Sequence, residues 1–242
     1  MKIEMYRIFF EIQRKHWWFV TKKNIILDVI RRHFSPRSDT CVLDVGCGSG
    51  LMLSALENIG RTSGMDMSDE AIAFSREIFK GVVRKGFLPE QVPYDEESFD
   101  LITVLDVIEH LDADVDALKT MRSRLRPGGK MIVTVPAYMF LWSNFDVLNE
   151  HKRRYTRSEL RSKLQAAGLT IEKISYFNSL LFPVVFVVRK LNSLLKCSSA
   201  SDTDMPSRPM NFILKMIFGL EKYLLRFVNL PFGVSILAVV KK

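Results

Sequence analysis

An α/β fold, a parallel sheet with helices on both faces, is predicted by three observations. Short apolar runs alternate with helical periodicity over residues 40–136, the order that produces parallel strands joined by crossover helices. A glycine-rich turn, Gly46-Cys47-Gly48-Ser49-Gly50, follows the first of these runs directly. The chain of 242 residues is 48% hydrophobic, so it can bury a core without a disulfide or metal staple.

Taken in order, residues 1–34 read as helical, with Ile25, Ile26, Val29 and Ile30 at helical spacing and Pro36 closing the segment. Within it, His16-Trp17-Trp18-Phe19 is either an anchor of the helix to the core or a lid over a cleft. Cys41–Val45 reads as a buried strand, followed by the glycine turn and a helical pattern from Leu51 to Gly60. Thr62–Met67 is a second strand, and Ser68 is a plausible N-cap for a helix over Asp69–Phe79. Val82-Val83 is a weak third strand, Phe99–Val104 a fourth, and Val115–Leu125 a helix. Arg126-Pro127-Gly128-Gly129 is a turn signal before a fifth strand, Lys130–Val135, stopped by Pro136. Ser158–Gly168 then reads as a helix, Thr170–Tyr176 as a strand and Val234–Lys241 as the last strand. Two apolar-basic stretches, Leu180–Leu195 and Phe212–Phe227, lie between those strands and are joined by a polar linker, Ser198–Pro209.

Composition narrows the class. Three widely spaced cysteines, Cys41, Cys47 and Cys197, with no CxxC pair argue against a disulfide framework or zinc site. The mixed charges before Trp18, with no clean apolar stretch, argue against a signal peptide. The charge-free runs Ile174–Val188 and Phe227–Val240 fall short of the ~20 residues of a spanning helix. A cytoplasmic protein is expected. The net charge of +8 is uneven: +5 over residues 1–40, −8 over 41–150 and +11 over 151–242. Basic flanks around an acidic centre suit an anionic partner, whether nucleic acid, a phosphorylated substrate or an anionic membrane surface.

The glycine turn carries most of the functional information. A dinucleotide fingerprint, G-x-G-x-x-G, requires glycine at position 51, which is Leu51. The spacing here is G-x-G-x-G with Asp44 two residues ahead. That carboxylate would repel a pyrophosphate at close range but suits a ligand bearing an ammonium or sulfonium.

On these residues the sequence resembles the class I S-adenosylmethionine-dependent methyltransferases. The resemblance covers residues 41–136: Asp44 with Gly46, Gly48 and Gly50; Gly64-Met65-Asp66; Gly86-Phe87-Leu88-Pro89; Ser98-Phe99-Asp100 through Asp106-Val107-Ile108-Glu109-His110; and Leu125-Arg126-Pro127-Gly128-Gly129. It extends to a subgroup with HWWF near the N-terminus, H-x-R-R-Y-T after the fifth strand and a closing P-F-G-x-S, a subgroup associated with glycan or polyprenyl-lipid pathways. The resemblance implies a doubly wound, Rossmann-like, seven-stranded, mostly parallel sheet with an antiparallel last strand. It implies an N-terminal helical segment or lid (1–36), a cofactor-binding core (37–176 and 231–242) and a helical insert (177–230). S-adenosylmethionine is the implied cofactor, held by Asp44, Gly46, Cys47, Gly48, Gly50, Asp66, Met67, Leu88, Leu105 and Asp106. Asp66 would accept from the ribose hydroxyls and Met67 would pack on adenine. Phe87 stands where the family normally offers a polar contact to the adenine amino group.

Methyl transfer to a hydroxyl also needs a proton acceptor. His110 and His151 are the candidates, each with the alternative that it caps a helix or sits in solvated charge. Glu109-His110 lacks the H-E-x-x-H spacing of a zinc site, so no metal is expected. Trp17, Arg154 and Tyr155 are candidate substrate residues, with Arg154 able to clamp a carboxylate or phosphate through its planar fork. The leading expectation is O-methylation of a small-molecule, glycan or lipid-linked acceptor. An RNA or DNA methyltransferase is the alternative, disfavoured because Leu105-Asp106-Val107-Ile108 replaces the Asp/Asn-Pro-Pro-aromatic stretch of base-amine enzymes. A non-catalytic cofactor-binding scaffold at a membrane is the third. The insert is either a cap or dimer interface or an interfacial helical pair on an anionic membrane.

Overall fold

The computed structural model describes residues 3–194 and 204–242. The strands are β1 Cys41–Val45, β2 Arg61–Asp66, β3 Val82–Lys85, β4 Phe99–Leu105, β5 Leu125–Pro136, β6 Thr170–Phe177 and β7 Ser235–Lys241. They form one sheet in the order β3-β2-β1-β4-β5-β7-β6, in which β7 runs antiparallel to both of its neighbours. The helices are α1 Ile3–Ile12, α2 Trp17–His33, α3 Leu51–Leu56, α4 Asp69–Ile78, α5 Asp114–Arg124, α6 Asn144–Leu148, α7 Arg157–Ala166, α8 Phe182–Leu194 and α9 Arg208–Phe227. The expected seven-stranded, mostly parallel sheet with an antiparallel last strand is the sheet this chain forms.

Local chemistry explains the elements. Every residue of β1 is buried, as both faces of a central parallel strand must be. Ser68 caps α4 by accepting from Ala71 N at 3.3 Å, with Asp69 and Glu70 in the first turn where the helix dipole favours them. Thr156 and Glu159 close a capping box at the start of α7, and Gly168, at φ +75°, ends it. At the end of the strands opposite the glycine turn, Asp100 accepts from Cys41 N (2.9 Å), Arg37 (2.9 Å) and Arg126 (2.8 Å), which ties β1, β4 and β5 together.

Three differences from the sequence expectations bear on the site. The single N-terminal helical stretch is broken at Gln13–His16, because His16 turns to cap α2 through Trp18 N (3.3 Å). Gln13 is buried there and accepts from Ser49 Oγ of the glycine turn at 2.8 Å. The Arg126–Gly129 turn signal lies inside β5, where Gly128 at φ +77° and a register shift opposite Phe99–Leu101 absorb the irregularity. The second apolar-basic stretch starts its helix earlier, with Pro209 in the first turn of α9. Cys197 and the first half of the polar linker lie outside the described residues.

Ile25, Ile26 and Ile30 of α2 belong to the main core. The helix also binds α9. Trp18 packs near-parallel to Phe218 (centroids 5.3 Å) and Phe177 (6.3 Å), Trp17 N donates to Asn211 Oδ1 at 2.8 Å, and Arg226 pairs with Asp28 at 2.7 Å. The N-terminal helix and the insert thus meet over the end of the sheet where β1, β2 and β4 finish. Among the described residues, no helix is long and apolar enough to cross a membrane.

Candidate active site

The glycine turn crosses the carboxyl ends of β1 and β2, on the β1–β4 side of which the strand order reverses direction, the place where open α/β sheets bind ligands. Gly46 sits at φ +65°, and a Cβ there would stand 2.6 Å from Val107 Cγ2. Only glycine lets the turn pass this close. Gly48 N donates to Asp66 Oδ2 at 2.8 Å and Ser68 N to Asp66 Oδ1 at 3.0 Å, so one carboxylate holds the loop against the end of β2. A cleft of about 140 Å³ opens here, lined by Gly46, Gly48, Asp66, Met67, Phe87 and Leu88, with Asp106 and His110 at its inner end.

Other expected cofactor residues support the cleft without lining it. Asp44 is buried beneath the turn and accepts from Thr103 Oγ1 at 2.6 Å. The Cys47 side chain turns away into a cluster with Leu53, Ile72, Phe79 and Val83, so only its backbone belongs to the turn. Gly50 caps α3 and packs on Ser75, and Leu105 packs against the core. Met67 lies just outside β2 and is 65% exposed on the rim of the cleft.

Burial pushes the Asp44 carboxyl up to about 7; the Thr103 hydrogen bond opposes this and the Asp66 charge adds to it. Burial also raises Asp66, against the backbone N–H groups that it accepts. Neither carboxylate has an ion-pair partner among the described residues. Two buried acids, one of them further disfavoured by the charge of the other, fit a cationic ligand. Because Asp44 is protonated below about 7 and must ionise to favour a cation, cofactor affinity is expected to weaken as pH falls below that value. Calorimetry in buffers of different ionisation enthalpy should detect protons released on binding near neutral pH.

A second cavity, of about 320 Å³, adjoins the first and shares Asp106 and His110 with it. Phe9, Trp17, Trp18, Phe19 and Phe145 give it an aromatic wall, and Glu109, His151 and Arg154 a polar one. Asp106 stands at the junction at φ +54°. It pairs with Lys22 and accepts from Thr134 Oγ1 at 2.9 Å. Burial would raise its carboxyl, but Lys22 holds it below the ordinary range.

The polar wall is built from two segments distant in sequence. Lys152 N donates to Glu109 O at 2.9 Å, which fastens the 151–155 loop to the short turn after β4. His151 Nδ1 lies 2.8 Å from Asp146 Oδ1, and the His110 and His151 rings meet edge to face at 4.7 Å. Burial lowers His110 to about 4, with the neighbouring His151 adding to the effect, so it is neutral at physiological pH. Asp146 is buried, which alone would raise it, yet His151 and Arg154 hold it down at about 2.

Two substrate expectations need correction. Tyr155 is buried away from the cavity; its hydroxyl donates to Asp114 Oδ2 at 2.9 Å and Ile108 O lies within 3.2 Å. Arg154 does line the cavity and does form a planar fork, but the carboxylate in the fork is Asp146, at 2.8 and 2.9 Å, with Ala137 O at 3.1 Å on a third nitrogen. The sequence places Asp146 in the same polar cluster as His151, Arg153 and Arg154 but not as the partner of Arg154, and Glu109 is the wall residue to which it gives no site role. The only signal available was the HKRRYT loop, whose internal partner is not visible from spacing.

The sheet order, the glycine turn and the two acids at the strand ends define a class I S-adenosylmethionine-dependent methyltransferase. A family model described as a methyltransferase domain matches residues 19–174, and the chain belongs to that family. It is 24% identical over 153 residues to a ubiquinone biosynthesis O-methyltransferase of Aeromonas salmonicida, covering 55% of this chain and 64% of that protein. A namesake from Pseudomonas fluorescens is 27% identical over 155 residues, covering 55% of this chain and 66% of that protein. The match thus spans just under two thirds of the length of these curated relatives. Among solved structures, phosphoethanolamine N-methyltransferase 2 of Haemonchus contortus in complex with S-adenosyl-L-methionine superposes with a TM-score of 0.59 at 14% identity, covering 90% of this chain and 52% of that one. A SAM-dependent methyltransferase from Archaeoglobus fulgidus gives 0.55 at 19%, covering 91% and 94%. At these identities the structures show the fold.

Proposed function

We infer that this protein transfers a methyl group from S-adenosylmethionine to an oxygen of a hydrophobic, hydroxylated small molecule, including one carried on a lipid. The observation that carries this reading is the meeting of the glycine-turn cleft and the aromatic chamber at Asp106 and His110, with the Asp146–His151 pair on the chamber wall. The names of the O-methyltransferase relatives support an oxygen acceptor.

The cofactor, when bound, supplies a methyl group on a positively charged sulfur. Asp66 and the Gly46–Gly48 backbone would hold its ribose and amino-acid portions, with Met67, Phe87 and Leu88 against the base. The chain's main task is to align the acceptor and exclude water, which suits an aromatic enclosure. An acceptor hydroxyl gives its proton to His151 Nε2. Asp146 accepts from Nδ1–H, fixes that tautomer and stabilises the imidazolium. A neutral His110 beside them avoids repelling the cationic sulfur.

Val185 and Arg189 of α8 line the chamber, and the outer faces of the insert helices are apolar and basic. Val184, Val187, Phe212 and Met216 on α8 and α9 are exposed among Lys190, Lys215 and Lys222, a composition suited to an anionic membrane surface. In this reading residues 1–36 and 177–230 act together as the acceptor-binding cover of the core.

Tritiated methyl incorporation into fractionated extract tests the proposal. Label is expected in a hydroxylated small-molecule or organic-extractable lipid pool, and His151→Ala should reduce its rate by about 10²–10⁴-fold with cofactor affinity retained. Label in nucleic acid, or a rate unaffected by His151→Ala, would overturn it.

A further inference from the structure

We propose that Glu109, His110 and His151 form a binding site for one divalent first-row transition metal ion, zinc being the ordinary occupant of such a donor set. Their ligand atoms all lie within 4.8 Å of one another at the junction of the cofactor cleft and the aromatic chamber. The second observation is independent of this spacing. Glu109 is fully buried, and neither of its carboxylate oxygens has a hydrogen-bond partner among the described residues. A carboxylate removed from water is costly to leave unpaired, and buried charges ordinarily find an ion or coordinate a metal. The nearby cations are committed elsewhere: Lys22 pairs with Asp106, and Arg154 forks Asp146.

The imidazoles are oriented as ligands should be. His151 is braced through Nδ1 by Asp146 at 2.8 Å, which leaves Nε2 for the ion. His110 hydrogen-bonds the backbone of Glu150. Such outer partners fix the tautomer and aim of ligating histidines. The backbone bond from Lys152 N to Glu109 O holds the two segments in register. One carboxylate and two imidazoles are the three-ligand set of catalytic zinc sites, which keep a position open for water or substrate. Here the open side faces the chamber.

The inference deepens the O-methylation reading and, for its chemical role, rests on it. An acceptor hydroxyl on the ion would have its pKa lowered. Its O–H bond then breaks with the electron pair staying on oxygen and the proton passing to bulk water. His151 in that state serves as a ligand and not as the proton acceptor.

Titration of the metal-free protein with Co²⁺, followed by its visible d–d absorption, tests the site without any methyl transfer. One ion per chain is expected. Glu109→Gln and His151→Ala should each weaken it by at least about tenfold, and Asp112→Asn, an exposed carboxylate nearby, should leave it unchanged. S-adenosylmethionine titration of each variant reports separately on folding and on the methyltransferase reading. No saturable Co²⁺ uptake by the wild type, or uptake indifferent to Glu109→Gln and His151→Ala, would overturn the metal site alone.

Discussion

Alanine in place of Asp146 is expected to destabilise the protein by about 3–5 kcal/mol, because it leaves the Arg154 guanidinium buried and uncompensated. Asp146 has no exposed surface and holds Arg154 with both oxygens, and His151 with one of them. A loss of this size lowers Tm by on the order of 10 °C in a domain of this length. Urea denaturation monitored by far-UV dichroism measures it. His151→Ala, which leaves the Arg154 fork intact, should cost clearly less stability while removing the proposed proton acceptor. Equal stability losses in the two variants would show that the fork is not what holds this loop. The pH dependence has a defined sign. The Asp146 carboxyl is depressed in the fold, so its contribution is present above its unfolded value near 3.8 and is lost as pH falls through about 2.

Replacing Asp66 with alanine is expected to weaken S-adenosylmethionine binding at least tenfold, or about 1.4 kcal/mol. Two effects combine. The ribose loses its acceptor, and the backbone N–H groups of Gly48 and Ser68 lose the carboxylate that pins the glycine turn to β2. Calorimetric titration checks the affinity. Stability should not fall in proportion, since the raised Asp66 carboxyl shows that the empty fold gains little from its charge. Unchanged affinity would remove Asp66 from the cofactor site.

The sheet was legible in the sequence for a physical reason. Strands buried on both faces read as near-continuous apolar runs, and β1 and β4 are such runs, interrupted only by Asp44 in β1 and by Asp100 and Thr103 in β4, and bounded by Gly46 and Asp106. The turn was legible because a backbone at positive φ that must also clear Val107 tolerates little besides glycine. The polar wall of the chamber was not. Glu109 gave no sign in the sequence that it would be buried on the wall, and Arg154 looked available to a substrate. The Arg154 reading depended on Asp146, a residue of a five-residue helix that carries no periodic signal. Tyr155 was misplaced for a related reason, since an aromatic in a basic loop gives no sign that Asp114 waits beneath it. The break at Gln13–His16 was likewise hidden: His16 caps α2 there, and Gln13 beside it is held by Ser49 from across the fold.

The most direct test is a crystal structure of the protein with S-adenosylhomocysteine. The account predicts the nucleoside between Asp66, Met67 and Leu88, with its sulfur turned toward Asp106 and His110 and the aromatic chamber open beyond. A nucleoside seated elsewhere, or a cleft that refuses this ligand and accepts a dinucleotide diphosphate, would contradict it.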